Sequence, residues 1–281
     1  MNNAIKRFTC VFVLALAGVW VAGGAHAKVQ TKAVTYKDGD VALKGTISWD
    51  DSIKGKRPGV LIVHEWWGLD DYARGRAKQL AAAGYVAFAL DMYGVGKVTK
   101  HAKEAGAWSK QVSTNIDHWV RRAKAGLDVL KADANVDGAK TAAIGYCFGG
   151  STVMQMAYAN QAVNAVVSFH GSLPPAAETV TAINPRVLIA HGRDDPFVKR
   201  ERIIAFKAGL DKAKVDWEMM EFSGTKHSFT NPEADHRGMK QLAYNPRADK
   251  RSWAALFRFL TRFLSSLANR GALFLGHPAF A

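Results

Sequence analysis

Apolar and polar positions along the chain fall into short strand-like runs separated by stretches with helical spacing. Residues 33–37 and 41–48 predict two strands, divided by the turn signal Asp38-Gly39-Asp40. Pro58-Gly59-Val60-Leu61-Ile62-Val63 is apolar without alternation, as expected of a strand buried on both faces. Helical spacing over residues 71–83 follows and stops at Gly84. Then come a strand over 85–90, a helical region, continuous or broken, over about 102–132, a strand over 141–144 and a helix over 149–158. Strands over 163–169 and 186–190, a helix over 199–210, a strand over 215–222 and a last helix over about 249–264 complete the pattern. Strands alternating with helices, two of them almost wholly apolar, predict an α/β fold: a mainly parallel central sheet with helices on both faces. In such sheets ligands gather beyond the carboxyl ends of the strands.

The two ends of the chain depart from this pattern. Lys6 and Arg7 precede an apolar run from Val11 to Val21 and the small-residue site Ala25-His26-Ala27. Residues 1–27 therefore read as a secretory signal peptide, with a mature start at Lys28 and, in a bacterium, a periplasmic destination. The apolar run falls short of the ~20 residues a membrane span requires, so no stable span is expected after cleavage. The 254 residues left fit one large domain, taken as 28–266. Residues 267–281 are apolar but hold Gly271, Gly276 and Pro278, and read as an irregular tail. Net charge is +14, or +12 without Lys6 and Arg7. The charges are scattered in pairs such as Arg121-Arg122 and Lys250-Arg251, with acids between them. A solvated surface is expected from that pattern, not nucleic-acid binding.

Removal of the leader takes Cys10 with it and leaves Cys147 as the sole cysteine, unable to join an intramolecular disulfide. Cys147 sits in Gly145-Tyr146-Cys147-Phe148-Gly149-Gly150, between an apolar strand and a helix-compatible stretch. This is G-x-S-x-G with cysteine for serine, the sequence of a nucleophile elbow, whose small neighbours permit a strained central residue. Cys147 is thus a candidate nucleophile, against the alternative of a buried thiol acting as a small hydrophobe.

A thiol nucleophile needs a base, and the base an orienting acid. Both occur downstream in the order nucleophile, acid, base. Asp195, in the G-x-x-D-x-x-V loop after the 186–190 strand, is the expected carboxylate, with Asp194 as fallback. His227, just after the 215–222 strand, is the expected base, because an imidazole titrating near neutrality can take and return the thiol proton. His191 reads as structural and His170 as a pocket candidate, while His101, His118 and His236 read as surface residues. No pair has metal-ligand spacing, so neither a metal nor a cofactor is expected. Val63-His64-Glu65-Trp66-Trp67-Gly68 ends a central strand where an oxyanion-hole loop belongs. Backbone N–H groups there and at Phe148 are the candidate donors, each worth roughly 2.7–4 kcal/mol in such a site.

Together, His64-Glu65-Trp66-Trp67-Gly68, the Cys147 elbow, the Asp195 loop and His227-Ser228-Phe229 resemble the dienelactone hydrolase family over about residues 29–264. The resemblance implies an α/β-hydrolase fold, a Cys147-His227-Asp195 triad and an acyl-thioester intermediate formed from an ester or lactone. It also implies oxyanion donors at Phe148 and Trp66, and a Glu65 that contacts the resting Cys147 and helps activate it. Family members that open dienelactone hold the substrate carboxylate with two arginines; this chain has Gly94-Val95-Gly96 and Thr230-Asn231-Pro232 at those places. Without that clamp a less acidic, more apolar or aromatic ester is expected, with Trp67, Tyr93 and Asn231 as pocket candidates. The competing function is an envelope-associated binding protein that keeps the pocket without turnover.

Overall fold

The computed structural model describes residues 28–264; the expected signal peptide and the tail lie outside the described residues. In chain order the elements are β1 (Val29–Asp38), β2 (Val41–Asp50), β3 (Arg57–Val63), α1 (Asp71–Ala82), β4 (Val86–Leu90), α2 (Ala102–Ser113), α3 (Ile116–Ala132) and β5 (Val136–Tyr146). They continue with α4 (Phe148–Tyr158), β6 (Ala165–Phe169), β7 (Arg186–Gly192), α5 (Arg200–Lys212), β8 (Trp217–Phe222), a 3-10 turn at Pro232–His236, and α6 (Pro246–Leu264). The eight strands form one sheet in the order β1-β2-β4-β3-β5-β6-β7-β8. β1 and β2 form an antiparallel hairpin and β2 runs antiparallel to β4; every pairing from β4 to β8 is parallel.

Strand periodicity explains the layering. In β3, Val60 and Ile62 face one core and Leu61 and Val63 the other. One core is closed by α1 and α6, through Ala73, Ala77, Leu80, Leu256 and Leu260. The other is closed by α3, α4 and α5, through Ala123, Leu127, Val153, Met156, Phe206 and Leu210. With both faces covered, the central strands need apolar residues at every position, hence the unbroken runs.

The helical region at 102–132 is broken into two helices, one of the two forms expected: the Asn115 side chain accepts from the His118 N–H at 2.9 Å and starts α3 anew. Two boundaries differ from expectation, each for a local reason. α6 begins at Pro246, three residues early: proline suits a first helical position, and the Asn245 side chain caps the Ala248 N–H at 3.0 Å. β5 starts at Val136 and accommodates its polar first half through a register shift against β3 between Pro58 and Gly59.

Candidate active site

β5 ends at Tyr146, and the chain turns so sharply that Cys147 adopts φ 54°, ψ −113° before α4 begins at Phe148. Close packing enforces the flanking glycines. A Cβ on Gly145 would lie 2.0 Å from the Gly149 carbonyl oxygen, and one on Gly149 would lie 2.2 Å from that of Val63. The Cys147 N–H is held by the Phe169 carbonyl at 3.0 Å and by His170 Nδ1 at 3.1 Å. The thiol is half-buried and free. The Phe148 N–H is the first of α4 and has no intrahelical acceptor by construction. Trp66 lies in the turn closed by the Gly68 N–H on the Glu65 carbonyl.

The loops after β7 and β8 bring in the other two groups. His227 Nδ1 lies 2.6 Å from Asp195 Oδ2, and both residues are buried. The second Asp195 oxygen accepts the Phe197 N–H at 2.9 Å, which fixes the carboxylate plane. Asp194 is exposed, so of the two adjacent acids only Asp195 meets the imidazole. Burial alone would push the His227 imidazole down. The neighbouring Cys147 sulfur and the Asp195 carboxylate outweigh that and raise it to about 10. Thiol, imidazole and carboxylate therefore meet at the carboxyl ends of β5, β7 and β8, and can work as nucleophile, base and orienter.

Glu65 is 1% exposed. Its two oxygens accept from Ser228 Oγ and from Asn231 Nδ2 (2.6 Å), and no hydrogen bond joins it to Cys147 among the described residues. Burial raises its carboxyl above the usual range, against the two donors.

A cavity of about 200 Å³ opens over Cys147, lined by Trp66, Phe148, Phe197, Leu242, the Ser151–Ser172 pair and His227-Ser228. Trp66 is in this wall, whereas the expected pocket residues Trp67, Tyr93, Asn231 and His170 stand behind it. Trp67 is 1% exposed and stacks under Arg237. Tyr93 packs on His64 and Phe148, and Asn231 is spent on Glu65. Phe197, Ser172 and Leu242 were not legible as pocket residues: Leu242 arrives by a bridge to His227 from 15 positions downstream. His191 is buried, as a structural residue of the acid loop would be. His118 is half-buried and faces Asp38 at 3.6 Å, not a free surface. Among the described residues no group of three or more His, Cys, Asp or Glu side chains could hold a metal.

A mainly parallel sheet with a strained nucleophile turn after its central strand, and an acid–imidazole pair on later loops, defines an α/β-hydrolase. Residues 44–264 match the Dienelactone hydrolase family, and the chain belongs to it. It is accordingly an ester or lactone hydrolase. The chain is 38% identical to a crystallised dienelactone hydrolase-like promiscuous phosphotriesterase from metagenomic libraries, covering 84% of this chain and 99% of that one with a TM-score of 0.82. The solved structure of m3DLH is 36% identical, over the same shares of the two chains and with the same TM-score of 0.82. Protein usf of Aquifex pyrophilus is 28% identical over 239 residues, 83% of this chain and 98% of that protein.

Proposed function

We propose that the chain hydrolyses a small, largely apolar carboxylic ester or lactone through an acyl-thioester on Cys147. The observation that carries this reading is the Asp195–His227 contact of 2.6 Å, aimed at a half-buried thiol on the floor of an apolar cavity. The raised imidazole keeps its proton through neutrality, and in the proposed mechanism this imidazolium is paired with a Cys147 thiolate as the attacking species. The thiolate attacks the carbonyl carbon, and the oxyanion that forms is met by the Phe148 and Trp66 N–H groups. The carbon–oxygen ester bond then breaks, and the leaving alkoxide takes the proton from His227. Neutral His227 next takes a proton from water. The hydroxide cleaves the thioester, which releases the acid and restores the pair. Asp195 holds the imidazole in the tautomer these transfers need. Glu65 acts indirectly, by tying Ser228 and Asn231 on either side of the histidine loop.

Among the described residues neither Lys nor Arg lines the cavity, which favours an uncharged acyl group over a substrate bearing its own carboxylate. The volume suits a short acyl chain or a single ring. The apolar run ahead of Ala25-His26-Ala27 supports export of a mature form starting at Lys28. The test is turnover of a 4-nitrophenyl ester series by reduced protein: Cys147→Ala abolishes hydrolysis while circular dichroism is unchanged. Full activity in that variant overturns the mechanism. Neither burst nor turnover in the wild type would instead favour a binding protein with a retained pocket. An aryl phosphotriester is a second probe, since the crystallised relative is a phosphotriesterase by name.

A further inference from the structure

Behind the nucleophile, on the side away from the cavity, lies a buried polar chain that the triad does not use. His170 is fully buried and packs edge-on against His227, ring centres 5.2 Å apart. Its Nδ1 faces a donor, the Cys147 N–H at 3.1 Å, so that nitrogen accepts. The proton therefore resides on Nε2, which donates to Thr230 Oγ1 at 2.8 Å. Tyr72 donates to the same hydroxyl oxygen at 2.6 Å. Arg76 in turn donates to the Tyr72 oxygen at 3.4 Å, to the Thr230 carbonyl at 2.9 Å and to Asp249 on α6 at 2.5 Å. Burial and the nearby His227 and Arg76 charges hold the His170 ring well below its ordinary titration range, so it stays neutral beside the imidazolium.

We infer that His170 is a positioning residue for the nucleophile, its tautomer fixed by the Cys147 N–H and its ring plane held by the Thr230–Tyr72–Arg76–Asp249 chain. This rests on the cysteine mechanism proposed above. Two strained residues meet here, Cys147 at φ 54° and His170 at φ 40°. The N–H···Nδ1 bond joins them and fixes the angle at which the thiol is presented. Only the Nε2–H tautomer makes that bond; the other would point two N–H groups at each other. The Cys147 N–H, which can only donate, selects the tautomer, and the Thr230 oxygen accepts the resulting Nε2–H alongside the Tyr72 hydroxyl. The residues after His227 thus divide their work: Ser228 and Asn231 hold Glu65, and Thr230 holds the support of the nucleophile.

The test replaces Thr230 by valine, which keeps the shape and removes the acceptor, and by serine, which keeps it. Thr230→Val should lower kcat on a 4-nitrophenyl ester by about tenfold or more, with KM within about twofold, because presentation of the sulfur and not substrate binding is disturbed. Iodoacetamide alkylation of Cys147 at pH 7 should slow by a similar factor, and Thr230→Ser should recover most of both. His170→Asn, whose Oδ1 can accept the Cys147 N–H, should outperform His170→Leu in both assays. Wild-type kcat and alkylation in Thr230→Val, or equal losses in the valine and serine variants, would overturn the inference. The alkylation arm reads the sulfur without any substrate. A wild type that turns over no ester would therefore sink the proposed function and still leave the role of His170 decided.

Discussion

Replacing Asp195 by asparagine probes the acid–imidazole pair with almost no change in shape. Asp195 Oδ1 accepts the Phe197 N–H at 2.9 Å, while Oδ2 accepts from His227 Nδ1 at 2.6 Å. An asparagine can satisfy only one of these donors. If its oxygen stays with Phe197, the amide NH2 faces His227, which must then carry its proton on the nitrogen turned towards Cys147. In that tautomer the nitrogen facing Cys147 cannot take up the proton, so the thiolate–imidazolium pair does not form. If the amide flips, the NH2 group meets the Phe197 N–H and a buried donor is left unmade, at about 1–3 kcal/mol. In either arrangement the charge-assisted bond to the imidazolium is lost, about 1.5–3 kcal/mol more. The two losses together predict a fall in kcat/KM of roughly 10²–10⁴, at 1.36 kcal/mol per decade. The assay is ester hydrolysis normalised by titration of active thiols, with thermal unfolding as control. A variant within about threefold of wild type, or a larger loss from Asp194→Asn than from Asp195→Asn, would refute the role given to Asp195.

The His227 imidazole, raised to about 10 in the fold against 6.5 when free, links stability and activity to pH. Its folded value lies above its unfolded one, so its contribution is fully present below pH 6.5 and is lost as pH rises through about 10. Ester turnover should fail over the same alkaline limb as the leaving group loses its proton donor, and Asp195→Asn should move that limb to lower pH. A limb unmoved in Asp195→Asn speaks against the coupling. Gly149→Ala sets its methyl 2.2 Å from the backbone oxygen of Val63, which cannot swing away, and should cost about 4 kcal/mol or more in urea unfolding. Gly75→Ala in α1, where a methyl meets nothing within 4 Å, should instead stabilise by about 0.5–1 kcal/mol. Equal effects of the two would remove the close-packing account of the elbow.

Local chemistry decided much of this molecule. Unbroken apolar runs such as Val60-Leu61-Ile62-Val63 announce strands covered on both faces, and the structure buries them on both faces. The glycines around Cys147 announce a turn too tight for any side chain, because the requirement lies within a few consecutive residues. The spacing of Asp195 and His227 after their strands places both at one end of the sheet, since parallel strands present their carboxyl ends together.

Partners set by separation in three dimensions were decided only by the tertiary structure. Glu65 looks from its neighbours like a strand-end charge. What makes it a buried acid is Ser228 and Asn231, more than 160 residues away. Trp67, Tyr93 and Asn231 sit beside the right motifs but point behind the cavity wall, because the rotation of a side chain around its loop is not a local property. Phe197, Leu242 and the His170–Thr230 contact have no pattern along the chain at all. Sequence periodicity records which face of an element is buried; which distant group meets it there depends on how the loops close, and that is a property of the whole fold.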